Sequence, residues 1–149
     1  MYRKILVPVD GSDTAKKGLM EAIKLAKDVG AQLRLLHIVN ELIIDYTYGS
    51  VMYSEGLFES LRKGGQEILK QAEALVRENG LEPQSVLLES IGGPAATMIV
   101  SQANQWPADL IVMGTHGRRG INRLTLGSDA ETVIRTAPVP VLLVRYKQD

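Results

Sequence analysis

The stretch Asp109-Leu-Ile-Val-Met-Gly114-Thr-His-Gly117, followed after nine residues by Gly127-Ser128-Asp129-Ala-Glu-Thr-Val-Ile-Arg-Thr136, decides how this chain is read. Asp109–Met113 is a short apolar run that stops at a glycine, the pattern of a buried strand. Residues 128–136 read as a helix. Glycine lacks Cβ, permits positive φ and lets backbone N–H groups approach a charged oxygen. A helix that starts directly behind such a loop adds N–H donors without intrahelical acceptors and the positive end of its dipole. The spacing Gly114-x2-Gly117-x9-Gly127-Ser128 therefore predicts a phosphate-binding loop between a strand and a helix.

Outward from this segment, four more apolar, β-branched runs read as strands: Lys4–Val9, Gln32–Val39, Ser85–Ser90 and Val139–Arg145. Between the first two, Ala15, Gly18, Leu19, Ala22, Ile23, Ala26 and Val29 recur at three- and four-residue spacing, one face of a helix, and Gly30 follows as a C-cap. Glu59–Asn79 predicts a second helix closed by Asn79-Gly80. Pro94 opens a third, with Ala95, Met98, Ile99, Gln102 and Ala103 turned towards the layer beneath. Alternating strands and helices imply right-handed crossovers and a parallel sheet covered on both faces. The expected fold is a single α/β domain over residues 1–149, five-stranded and Rossmann-like. Counted in chain order, its strands are expected in the order 3-2-1-4-5. That order sets strands one and four side by side at the reversal, where such sheets take their ligands. Residues 40–58, with Ile43, Ile44, Tyr46, Tyr48, Met52, Tyr53 and Phe58, show no regular pattern. They read either as a surface loop covering the sheet edge or as a flap beside the crevice.

Composition narrows the function. The chain carries 17 basic and 17 acidic side chains, a balance that argues against generic nucleic-acid or membrane-surface binding. It has no cysteine, which excludes disulfides, thiolate metal sites and cysteine nucleophiles. No apolar run approaches the ~18 residues needed to cross a bilayer, and the N-terminus does not read as a signal peptide, so a cytoplasmic location is expected.

At the end of the first strand, Pro8-Val9-Asp10-Gly11-Ser12 places an acid at the mouth of the sheet. Asp10 could accept hydrogen bonds from a ribose hydroxyl or an exocyclic amine. Asp10 and Ser12 equally suit a turn and a helix cap, and the two roles are compatible. The glycine loop holds Arg118, Arg119 and Arg123 and no acid, and guanidinium groups suit phosphate oxygens. His116 could donate to a phosphate, although a structural loop histidine is the commoner case. His37, inside an apolar strand, reads as a core residue.

Over essentially its whole length the chain resembles the universal stress protein family. The resemblance rests on Lys4-Ile-Leu-Val-Pro-Val-Asp-Gly-Ser12, Leu35-Leu-His-Ile-Val39, Asp109-Leu-Ile-Val-Met-Gly-Thr-His-Gly-Arg118 and Pro138-Val-Pro-Val-Leu-Leu-Val-Arg145. The glycine spacing is similar to that of the family's ATP-binding members. The resemblance implies that Asp10 and Ile38 flank adenine and ribose, and that Met113, Gly114, Gly117, Arg118, Gly127 and Ser128 line the ribose and phosphate path. Val9, Thr115, His116 and Asp129 complete the expected cofactor site for ATP or AMP. It also implies a homodimer paired through the last strand, with Val139, Val141 and Leu143 as the expected contacts.

Asp129 departs from the small apolar residue usual after the Gly-Ser pair of that family. A carboxylate in the first helical turn favours the dipole but repels a polyphosphate. It could instead help hold Mg²⁺ on the phosphates. Ser128-x-x-Glu131 also reads as a capping box, with Ser128 serving the helix. No Gly-x4-Gly-Lys-[Ser/Thr] loop, Gly-x-Ser-x-Gly elbow or histidine pair of metal-site type is present, so no catalytic residue is assigned. The expected function is a cytoplasmic adenine-nucleotide-binding stress-response homodimer with little or no hydrolysis. The alternatives are a nucleotide-free dimerisation module of the same fold and, behind it, a slow ATPase or autophosphorylating enzyme.

Overall fold

The apolar runs become strands, and the three-and-four periodic stretches become helices, in a computed structural model that describes residues 1–40, 43–45, 50–52, 55–90, 92–116 and 126–146. In chain order the elements are β1 (Lys4–Pro8), α1 (Asp13–Val29), β2 (Gln32–Asn40), β3 (Ile43–Asp45), β4 (Ser50–Met52), α2 (Glu55–Glu78), β5 (Gln84–Ser90), α3 (Ala95–Gln105), β6 (Leu110–Gly114), α4 (Ser128–Thr136) and β7 (Val141–Val144). The main sheet is parallel with the order β5-β2-β1-β6-β7. This is the expected 3-2-1-4-5.

Side chains alternate along the strands, so the sheet feeds two cores. Ile5, Val7, Val9, Leu33, Leu35, Leu110 and Val112 pack with the buried stripes of α1 and α2. Leu6, Leu36, Ile111 and Met113 pack with Ala96, Ile99, Ala103, Ala130 and Val133 of α3 and α4. Each large aliphatic side chain buried in this way stabilises the fold by about 1.5–3 kcal/mol.

Local chemistry sets the helix ends. Ser12 caps α1 by accepting from the Ala15 N–H at 3.1 Å. Gly30 ends that helix at φ 72°, and its N–H reaches the Ala26 carbonyl at 2.8 Å. Asn79 closes α2 by donating its side-chain amide to the Leu75 carbonyl at 2.8 Å.

Several boundaries differ from expectation. The second helix begins at Glu55 rather than Glu59: Phe58 in its first turn starts the buried stripe that Gly65, Leu69, Ala72 and Val76 continue, while Gly56, a poor helix former, hid that turn in the sequence. In α3, Pro94 is the N-cap and not the first helical residue. Ala96 is buried there, while Ala95 and Met98 are only half-buried. The last strand is shorter than Val139–Arg145, since Pro140 has no N–H for the ladder; its carbonyl still accepts from the Ile111 N–H at 3.0 Å.

Residues 40–58 are not wholly irregular. Ile43, Ile44 and Asp45 pair antiparallel with Met52, Val51 and Ser50, a ladder that suits β-branched residues but is too short to show alternation in sequence. Tyr46, Tyr48 and Tyr53 lie outside the described residues.

Candidate ligand crevice at the parting of two strands

The β1–β2 ladder runs from Lys4↔Gln32 to Pro8↔Leu36, whereas β1 and β6 pair only at Ile5↔Leu110 and Leu6↔Ile111. Beyond Ile111, β6 continues with β7, from Val112↔Leu142 to Gly114↔Val144. The carboxyl ends of β1 and β6 therefore part at the point where the strand order reverses.

On the β1 side, the Asp10 carboxylate accepts from the Ser12 N–H at 2.9 Å, and Gly11 adopts φ 84°, which only glycine takes readily. The turn role read for Asp10 and Ser12 is thus realised. His37 is buried, and its Nδ1–H donates to the Val9 carbonyl at 2.7 Å, as suits a core histidine.

On the β6 side, Thr115 is the fixed point. Its N–H donates to the Val144 carbonyl at 3.1 Å, and its carbonyl accepts from the Gly127 N–H at 2.7 Å. The ends of the glycine loop are thereby pinned together directly in front of α4. Gly127, not Ser128, is the N-cap, with no side-chain cap bond. The capping-box reading is corrected accordingly: Glu131 donates its N–H to the Gly127 carbonyl, and its carboxylate pairs with Arg135 at 2.9 Å. The non-helical cap conformation falls on the glycine because that residue also bonds back to Thr115. Ser128 and Asp129 are exposed in the first turn of α4. The N–H groups of that turn have no intrahelical acceptor.

Gly114 has a second physical role. A Cβ there would lie 2.6 Å from Thr14 Cγ2, 2.8 Å from the Thr14 carbonyl carbon and 2.9 Å from its oxygen. From the helix side, a Cβ on Gly18 would lie 3.2 Å from the Gly114 nitrogen and 3.3 Å from the Met113 carbonyl carbon. The two glycines let the first turns of α1 rest directly on the end of β6. The N-terminus of α1 is thus brought to the crevice as well.

The structure brings most of the expected site residues to one edge. Ile38 and Met113 lie in the core facing α3 and α4, and Gly114, Thr115, His116, Gly127, Ser128 and Asp129 follow at the carboxyl end of β6. The Val9 side chain instead faces α1 and α2, on the opposite side of the sheet. There it borders a groove of about 350 Å³ with Ser12, Ala15, Leu19, Ile68 and Leu75. Gly117, Arg118, Arg119 and Arg123 lie outside the described residues.

Sequence reasoning missed Thr14 and the double anchoring of Thr115. The available signal was Gly18: a glycine inside a helix destabilises it by roughly 0.5–1 kcal/mol relative to alanine, so its presence in a buried stripe needs a packing reason. Among the described residues, no group of three His, Asp or Glu side chains could hold a metal ion, and no helix is long and apolar enough to cross a membrane.

Comparison with known proteins agrees with this fold. Residues 1–145 match the model of the universal stress protein family. The chain is 38% identical over 149 residues to a universal stress protein of Methanocaldococcus jannaschii, covering 97% of this chain and 83% of that protein. Among solved structures, it is similar to the universal stress protein UspA of Lactobacillus plantarum, with a TM-score of 0.79, 26% identity, and 97% and 98% of the two chains covered. It is also similar to a universal stress protein of Archaeoglobus fulgidus solved in complex with dAMP, with a TM-score of 0.68, 28% identity, and 97% and 98% covered.

Proposed function

From its place in the universal stress protein family, to which the chain belongs, we propose that this protein is a cytoplasmic stress-response homodimer that binds an adenine nucleotide between β1 and β6. The observation that carries the reading is the parting of these strands in front of a loop whose ends are tied, Gly127 to Thr115, at the N-terminus of α4. Support also comes from the dAMP complex of the Archaeoglobus relative.

Adenine and ribose sit between the Asp10 turn and the apolar surface of Ile38 and Met113. The phosphates lie against Gly117, Arg118, the Ser128 hydroxyl and the first N–H groups of α4, where an anion is favoured. The Gly127 N–H is already bonded to Thr115, so Gly127 contributes geometry and not a donor. Asp129 opposes each added phosphate charge, which favours AMP over ATP unless Mg²⁺ accompanies the nucleotide. One exposed carboxylate fits an ion carried by the phosphates, since Mg²⁺ is commonly held by one or two carboxylates plus phosphate oxygens. With no residue assigned to activate a water, ATP turnover is slow or absent.

The outer edge of β7, last in the sheet order of the described strands, supplies the dimer contact. Val139, Val141 and Leu143 pack inward against the α3–α4 core, and Leu142 is 41% exposed on that strand. The pairing is therefore through backbone groups and Leu142, with the expected three residues supporting it from beneath.

A specific observation also favours the nucleotide-free module. The need for a glycine at Gly114 is met by its contact with Thr14, so one motif glycine is explained without a ligand. Isothermal titration with AMP, ATP and GMP separates the readings. One adenylate per chain, with GMP weaker by about tenfold or more, is expected from a site that reads the base. No heat and no thermal shift with any adenylate overturns the proposal in favour of the module.

A further inference from the structure

The imidazole of His116 carries an unmet hydrogen-bonding demand. Its Nε2 is buried and has no hydrogen-bond partner among the described residues, while its Nδ1 lies 3.0 Å from the Thr115 hydroxyl. Thr115 is itself only 5% exposed, so its hydroxyl proton also needs an acceptor. Two arrangements compete. If Nδ1 donated to the hydroxyl oxygen, both the hydroxyl proton and the Nε2 lone pair would lack partners. If the hydroxyl donates to Nδ1, only Nε2–H is left over. The second leaves fewer orphans, so Thr115 fixes the tautomer with the proton on Nε2.

The remaining group is a buried donor in search of an acceptor, and its position is informative. The Thr115–His116 peptide is the one whose carbonyl bonds to Gly127, the N-cap of α4. His116 thus sits at the tied neck of the glycine loop, beside the first turn of a helix whose N–H groups also lack intrahelical acceptors. Among the described residues, His116 Nε2–H and the first N–H groups of α4 are both donors, and the oxygen of an anion would answer them.

Resting on the nucleotide-binding reading above, we propose that His116 Nε2–H, held in that tautomer by the Thr115 hydroxyl, is the donor by which the site distinguishes a nucleoside phosphate from the bare nucleoside. A phosphate oxygen satisfies the orphan, whereas adenosine leaves it unmet. Thr115 acts through His116 and is a positioning residue.

The test compares AMP with adenosine by isothermal titration on the full chain and on three variants, each checked by circular dichroism. His116→Gln keeps an N–H near the Nε2 position. His116→Asn keeps only a group near Nδ1. Thr115→Val removes the hydroxyl at nearly constant volume. The expected result is a preference for AMP over adenosine in the wild type, narrowed about tenfold or more in His116→Asn. His116→Gln should retain most of the preference, and Thr115→Val should lose part of it. Nitrogen-15 NMR of the ligand-free protein should show the proton on Nε2 of His116. A proton resident on Nδ1, or an AMP-to-adenosine ratio unchanged in His116→Asn, overturns the inference while leaving nucleotide binding intact. A wild type that binds neither compound overturns the nucleotide reading itself.

Discussion

Replacing Gly114 with alanine tests the claim that the first glycine of the loop seats α1. The added Cβ would meet Thr14 Cγ2 at 2.6 Å, its carbonyl carbon at 2.8 Å and its oxygen at 2.9 Å. Carbon atoms in ordinary contact stand about 3.5–4.0 Å apart, so the helix must retreat by roughly 1 Å. Two of the three atoms are backbone, which no rotamer change can move. Overpacking of this kind typically destabilises by about 1–3 kcal/mol, and removing a glycine from the unfolded chain returns at most about 1 kcal/mol. The expected net loss is about 1–2 kcal/mol, seen as a lower urea midpoint at unchanged slope and a Tm lower by roughly 2–8 °C. Adding Thr14→Ala should restore only part of the loss, because the carbonyl atoms remain. Gly18→Ala meets gentler contacts of 3.2 Å and 3.3 Å and gains helix propensity, so it should be the milder change. A Gly114→Ala protein with wild-type stability would refute the reasoning.

The adjacent glycines of α2 should behave oppositely: Gly64 has nothing within 4 Å, so Gly64→Ala stabilises by about 1 kcal/mol, whereas Gly65→Ala drives a Cβ to 2.7 Å from the buried His37 ring and destabilises. Equal effects in thermal melts would count against the assigned packing of α2 on β2. Asp109 accepts the N–H groups of Arg3 and Lys4 at 2.7 Å and 2.8 Å, which hold its pKa below the usual carboxylate value. Its contribution is therefore full above the unfolded pKa of about 3.9 and is lost as pH falls through the lower folded value. Asp109→Asn should flatten the acid limb of stability against pH, and an unchanged limb would exclude that role. Leu142→Glu on the exposed face of β7 should give soluble monomers by sedimentation with an unaltered far-UV spectrum; intact dimers would remove β7 as the contact.

Much of this was legible in the sequence because it follows from periodicity and from glycine. Five short apolar runs separated by helical stripes left little choice of topology, and Gly30 and Ser12 marked the ends of α1 where the structure has them. Elements set by only a few residues were less legible. The β3–β4 ladder has three residues in each strand, too few for alternation to stand out. The start of α2 was concealed by Gly56, a poor helix former in its first turn. Tertiary roles of backbone atoms were not legible at all. The Thr115 carbonyl that ties Gly127, and the Thr14 carbonyl that requires a glycine at position 114, carry no signal in residue type. The motif was visible as a spacing, while the scaffold role of Gly114 came only from distances.

The most direct test of the nucleotide-binding account is to purify the protein without added nucleotide, denature it, and identify the released small molecules by ion exchange and mass spectrometry. The account predicts adenine nucleotide in near-stoichiometric amount, as AMP in preference to ATP because of Asp129. A nucleotide-free protein that also shows no thermal shift with millimolar AMP or Mg-ATP would contradict it.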